Sequence, residues 1–142
     1  EFAKVGRPAH PGSGITVVGP AIIKHGTDEQ RRRCLKPGLR GDMIWVQGFS
    51  EPEAGSDLQS LRTRAERVGD EYVVSGQKIW ITNARHADWM FTLVRTGTRE
   101  SRQLGISYLL IDLRSDGVTV RPLRHIGGEI DFGSNDFMNS PG

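Results

Sequence analysis

Two segments of this 142-residue chain carry side chains suited to holding a ligand: Gln47-Gly48-Phe49-Ser50-Glu51-Pro52-Glu53-Ala54-Gly55-Ser56-Asp57 and Gly76-Gln77-Lys78-Ile79-Trp80-Ile81-Thr82-Asn83. In the second, strand alternation predicts Lys78, Trp80 and Thr82 on one face and Ile79, Ile81 and Asn83 on the other. Ile79 and Ile81 then pack inward while Trp80 and Thr82 meet a ligand. An indole is a platform for a flat aromatic ligand, and a hydroxyl two residues along can hydrogen-bond a ring heteroatom. In the first segment, Pro52 and Gly55 shape a compact turn that can point backbone amides and the Ser56 hydroxyl at a diphosphate, because clustered N–H groups bind anions. The plainer alternatives are a core Trp80 beside an ordinary strand Thr82, and a polar turn between strands. Asp57 is assigned to capping a short helix.

Other chemistries find no support. Gly12-Ser13-Gly14 starts like a dinucleotide fingerprint, but Val17 stands where the third glycine belongs and no strand precedes it. Gly48-Phe49-Ser50-Glu51-Pro52 starts like a nucleophile elbow, yet Pro52 replaces the closing glycine. Cys34 is alone, so no internal disulfide forms; it reads as a small buried apolar residue. His10, His25, His86 and His125 show no metal-site spacing, so no metal is expected. A net charge of +2 does not point to nucleic acid, and the Arg31-Arg32-Arg33 run with Lys36 and Arg40 reads as a solvated helix face. The first residues form no signal segment, and no apolar stretch approaches membrane-spanning length.

The elements that must position the two segments follow from the pattern around them. Ile15, Val18, Ile22 and Ile23 lie near helical spacing, with Pro20 expected to bend that helix or lie near its start and Gly26 where a left-handed cap would sit. Thr27-Asp28-Glu29-Gln30 has the form of a capping box opening a second helix, expected to end before Pro37-Gly38. After Gly41 the residues become β-branched and aromatic between turns. This predicts strands at about 43–49, 61–68, 71–75, 77–82, 88–95, 106–113 and 118–123, with a turn at Gly69-Asp70. Short connections favour antiparallel pairing. The expected fold is therefore α+β, helices followed by a small antiparallel β-barrel or sandwich. The stretch Gly97 to Leu104 and Gly127-Gly128 are the expected exposed connections.

In order and at this separation, the two segments closely resemble the acyl-CoA dehydrogenase family, whose middle domain carries a T/S-E-P-x-A-G-S-D loop and then a G-x-K-x-W-I-T-N strand. Arg62-Thr63-Arg64-Ala65 and Gly69-Asp70-Glu71-Tyr72-Val73-Val74 join them. The resemblance implies that residues 1–42 are the end of an N-terminal helical domain and 43–142 a middle β domain. It also implies FAD as cofactor, held by Gln47, Phe49, Ser50, Gly55, Ser56, Trp80, Ile81 and Thr82. Ser50 would lie at the pyrimidine side, Thr82 near flavin N5, and Ser56 at both the flavin diphosphate and the acyl-CoA substrate. Gln47, in place of a bulky residue, and Glu53, where glycine is frequent, depart from the family pattern without removing a donor. The loop's form is that of bacterial branches.

The implied reaction is α,β-dehydrogenation of an acyl-CoA to a trans-2-enoyl-CoA. Its base is a Glu of a C-terminal helical domain that no residue of this chain matches, so no catalytic residue is assigned here; Glu51, Glu53 and Glu129 read as structural or solvated. Implied partners are an electron-transfer flavoprotein and further copies of the protein, as a homo-oligomer such as a homotetramer. The implied location is the bacterial cytoplasm, or the mitochondrion in a eukaryote. An acyl-CoA oxidase of the same fold and a non-catalytic flavin- or CoA-binding module are the alternatives. From Gly133 to Gly142 alternation is lost, so the last strand is expected to be altered or frayed, and the resemblance runs from about Gly14 to Phe132.

Overall fold

A computed structural model of the chain describes residues 12–128 and 130–141; His10 and Glu129 lie outside them. The chain divides into two units, one up to Trp45 and one from Val46 onward.

In the first unit a wide-wound turn, Gly14–Val18, leads into α1 (Gly19–His25). Pro20 sits in the first turn of α1, where its missing N–H is no loss. Gly26 is extended (φ −73°, ψ 157°), not left-handed as expected. The next helix opens immediately, and its N-cap Thr27 also needs extended backbone. The capping box forms in full at α2 (Asp28–Gln30). The Gln30 amide donates to Thr27 Oγ1 at 3.2 Å, and the Thr27 amide donates to Gln30 Oε1 at 2.9 Å.

Helical backbone then continues past Pro37 rather than stopping before it, through the wide turn Arg31–Leu35 into α3 (Lys36–Arg40). The wide turn gives the proline ring room, and the left-handed cap comes at Gly41, φ 78°. Val18, Ile22, Cys34 and Trp45 are buried in this unit. Burial pushes the Cys34 thiol pKa up, with Arg33 opposing, as suits a packing residue.

The second unit holds a seven-stranded curled sheet, whose first strand starts at the last residue of the first unit: β1 (Trp45–Gly48), β2 (Arg64–Val68), β3 (Glu71–Thr82), β4 (Trp89–Arg95), β5 (Ile106–Asp112), β6 (Val118–Leu123) and β7 (Phe132–Pro141). The order is β1-β4-β2-β3-β7-β6, with β5 on β4. Pairing is antiparallel as expected for β2/β3, β3/β7, β4/β5 and β6/β7, but β2 meets β4 in parallel at Arg64 and Arg95, so the sheet is mixed. Gly69-Asp70 makes the two-residue turn between β2 and β3, with Gly69 at φ 65°. The core is built from Val46, Ala65, Val74, Ile81, Met90, Val94, Ile111 and Phe137.

Three expectations change here. The strands expected at 71–75 and 77–82 are one twelve-residue strand, β3, interrupted by bulges rather than a break. Residues 61–63 precede β2 as irregular chain. The stretch expected to fray is instead β7, paired to β3 on one side and β6 on the other. Backbone pairing on both flanks holds it without an alternating pattern, and Ser134, Asn135 and Phe137 are all buried. Neither end of the fully buried Asn135 amide is hydrogen-bonded.

Candidate functional site

The loop begins where β1 ends. Gly48 leaves room for a close approach there: a Cβ would overlap Met90 Sδ and come within 3.2 Å of Thr92 Oγ1, so a larger residue would need the Met90 side chain to move. The Thr92 hydroxyl donates to the Gly48 carbonyl and fixes this close approach of β1 to β4. Phe49 packs edge-on against Phe91, ring centres 5.7 Å apart. Glu51 and Ala54 exchange backbone hydrogen bonds of 2.8 and 3.2 Å, closing a tight turn over Pro52-Glu53. Those two amides are thereby committed, leaving any anion-binding role of this turn to its other amides. Asp57 stands at the start of the short helical turn Leu58–Ser60 as expected, but its side chain makes no capping bond; the Ser60 hydroxyl donates to the Asp57 carbonyl at 2.8 Å.

The strand segment meets this loop directly. The Ile79 amide donates to the Ser50 carbonyl at 2.9 Å. Strict alternation fails between Lys78 and Ile81, where the β3/β7 register shifts and Trp80 takes φ 61°. Such backbone costs a non-glycine residue about 1–3 kcal/mol and persists only where its surroundings impose it. The bulge lets Lys78 and Ile81, three apart, both point into the core, and it turns Trp80 outward, 61% exposed. Lys78 therefore leaves the ligand face on which alternation put it. Phe132 supports the outward indole edge-on at 6.2 Å, with His125 against Phe132 at 6.3 Å.

The loop and strand residues expected at a ligand thus fall into two classes. Gln47, Gly55, Ser56, Trp80 and Thr82 are exposed, and Phe49 and Ser50 are half-buried. Space around a Cβ at Gly55 is open. Ile81 is fully buried in the core, so its side chain is closed to any ligand.

What sequence reading did not anticipate is that Glu51 and Lys78 pair with each other. Lys78 Nζ donates to Glu51 Oε1 at 2.8 Å and to the Phe49 carbonyl at 3.2 Å. The Glu51 carboxylate also accepts from the amides of Arg62 at 2.6 Å and Thr63 at 2.9 Å. Burial alone would raise the Glu51 pKa, but the Lys78 bond and the two amides outweigh it and hold the carboxyl below its usual range. For Lys78 burial is the larger influence and lowers its pKa, with Glu51 opposing. The structural role expected of Glu51 is what its contacts show. The spacing of Glu51 and Lys78 carried no signal; they meet only where the folded loop lies against β3.

Beyond the loop an open cleft of about 530 Å³ is lined by Leu61, Arg62, Arg64, Arg95 and the turn Thr96 to Glu100. Arg95 is buried, its guanidinium donating to the carbonyls of Gln59 at 2.6 Å, Arg102 at 2.7 Å and Leu61 at 3.4 Å. Arg62 pairs with Glu53, and Arg64 with Glu66, both at exposed positions. The cleft gathers residues distant in sequence, which is why it was not legible there.

Comparison with known proteins bears on what this arrangement is. Residues 47–136 match the family described as acyl-CoA dehydrogenase, middle domain. The chain is 45% identical over 120 residues to acyl-CoA dehydrogenase IpdE1 of Mycobacterium tuberculosis, covering 84% of this chain and 31% of that protein. Among solved structures, the Tcur3481-Tcur3483 steroid ACAD superposes with a TM-score of 0.88 at 34% identity, over 93% of this chain and 34% of the other. The ChsE4-ChsE5 complex from Mycobacterium tuberculosis gives 0.88 at 38% identity, over 99% and 36%. The chain thus spans about a third of the length of these relatives. Matched over more than half its length, with both segments inside the match, the chain belongs to the acyl-CoA dehydrogenase family and carries that family's middle domain.

Proposed function

We propose that the protein carrying this chain is a FAD-dependent acyl-CoA dehydrogenase converting an acyl-CoA to a trans-2-enoyl-CoA, and that this chain supplies half of its flavin site. The observation that carries the reading is the outward Trp80 indole on a strained bulge, hydrogen-bonded through the adjoining Ile79 to the Ser50 loop. The residues fit the group. An exposed indole braced by Phe132 offers a flat apolar face, the exposed Thr82 a hydroxyl beside it, and the open backbone at Gly55 with Ser56 an approach for phosphates.

A bound flavin would supply a hydride acceptor for the acyl β-carbon, with a carboxylate to take the α-proton. In this reading Trp80 would orient the ring, Thr82 would offer it a hydrogen bond, and Phe49 and Ser50 would hold it from the loop side. Gln47 lies at the edge of that surface. Ile81 serves only as the core anchor beneath it. Ser56 stands between flavin diphosphate and acyl-CoA, and the arginine-lined cleft after the loop suits the phosphates of coenzyme A. No residue of this chain is assigned as the base; it belongs to a C-terminal helical domain, and residues up to 42 belong to the N-terminal one.

Electron-transfer flavoprotein as the electron acceptor and a homo-oligomeric assembly, in the bacterial cytoplasm, complete the proposal. That the ChsE4-ChsE5 structure is a complex supports an assembled protein, and likeness to a steroid ACAD favours a polycyclic acyl group. The test is anaerobic mixing of the full-length protein, reconstituted with FAD, with steroid-derived and straight-chain acyl-CoA thioesters. Bleaching of the visible flavin absorbance with stoichiometric enoyl-CoA supports the proposal. No bleaching with any thioester refutes it, and peroxide formed in air at the turnover rate identifies an oxidase instead.

A further inference from the structure

The buried ion pair joins the two ligand-facing segments at one point. Lys78 Nζ bonds both the Phe49 carbonyl and Glu51, two residues before Trp80, and Glu51 extends the link to the amides at 62 and 63. Four pieces of chain thus converge: the loop, its closing turn, the approach to β2 and the bulge of β3. A buried pair of this kind is often no more stabilising than apolar residues of equal volume, whereas its directional bonds select one arrangement. The backbone it sits on is the one that needs selecting, since Trp80 adopts φ 61° only if its flanks are held.

We propose that Glu51 and Lys78 are positioning residues that fix the Trp80 platform relative to the Ser50 loop. Lys78 pins the loop to β3 from below; the bulge then has a single way to turn the indole outward. The inference rests on the reading of Trp80 as a flavin platform for its functional consequence, but the positioning itself is separately measurable.

The experiment uses the full-length protein labelled with 5-fluorotryptophan. The Trp80 fluorine resonance is assigned by its loss in Trp80→Phe, and FAD affinity is measured by titration. Lys78→Arg keeps the cation, Lys78→Met removes it, and Glu51→Gln/Lys78→Met leaves no unpaired buried charge, so it keeps the test open if the single variant does not fold. In the double variant the Trp80 resonance shifts or broadens while those of Trp45 and Trp89 stay in place. FAD affinity falls about tenfold or more, and Lys78→Arg recovers part of both effects. An unmoved Trp80 resonance overturns the proposal, as does equal movement of the Trp45 and Trp89 resonances, which would make the pair a general support of the fold. A moved Trp80 with unchanged FAD affinity overturns the link to the ligand. If the unaltered protein binds no FAD, the flavin reading fails and the Trp80 resonance alone decides the positioning.

Discussion

Gly76 is the position where a single methyl group should damage this fold most. It lies at the first bulge of β3 with φ 146°, a conformation that costs an L-residue roughly 1–3 kcal/mol. A Cβ there would stand 2.6 Å from Thr63 Cα and 2.9 Å from Thr63 Cβ, contacts with backbone and branch point that no rotamer change relieves. Thr63 cannot yield freely. It is buried, its amide donates to Glu51 at 2.9 Å, and its carbonyl accepts from the Arg95 amide at 2.7 Å. Loosening those bonds adds about 1–3 kcal/mol, since one of them is to a buried carboxylate.

Gly76→Ala should therefore destabilise by roughly 3–5 kcal/mol, a large part of the few kcal/mol by which domains are stable. At about 2–4 °C per kcal/mol, thermal unfolding followed by circular dichroism should shift down by roughly 6–20 °C. Gly55→Ala is the control, because nothing lies within 4 Å of its Cβ. A Gly76→Ala midpoint within about 2 °C of that control would refute the locking of the bulge against Thr63.

Further outcomes can be checked with the same protein. Asn135→Leu should raise the urea midpoint by the equivalent of about 1–3 kcal/mol, because it removes a buried amide with neither end bonded. Thr27→Ala should lower it by about 1 kcal/mol through loss of the capping box. Glu51, whose folded pKa lies below its unfolded value, contributes stability that is present above about pH 4.5 and lost as pH falls through the depressed pKa; Glu51→Gln should flatten that acid limb of a stability–pH profile. Burial beside Phe91 pushes Tyr108 up to about 12, so its neutral form is favoured by folding. Stability from it is present below pH 10 and lost as pH rises towards 12, and Tyr108→Phe should remove that alkaline loss.

What the sequence made legible was what local chemistry decides. The Thr27/Gln30 box, the Gly69-Asp70 turn and the β6 strand follow from residues within a few positions of one another. The tight turn around Pro52 and the strand that carries Trp80 were also legible, since proline and glycine mark a turn and the apolar, β-branched run around Trp80 marks a strand. The bulge at Trp80 was not, because its left-handed backbone comes from long-range pairing with β7 and from the Ile79 bond to Ser50, not from a preference of tryptophan. Missing the bulge placed Lys78 on the wrong face and hid its pairing with Glu51. Similarly, β7 is held by two neighbours rather than by an apolar pattern, so Ser134 and Asn135 gave no strand signal. Arg95 binds carbonyls from three separated residues, a convergence that exists only in the folded chain.

Equilibrium titration of FAD into the full-length protein and its Trp80→Ala variant tests the central claim most directly. Covering an exposed indole by a flat ring is worth about 1.5–3 kcal/mol, so the variant should bind about 10- to 100-fold more weakly while unfolding at nearly the same temperature. Equal FAD affinity for the two proteins would contradict the account.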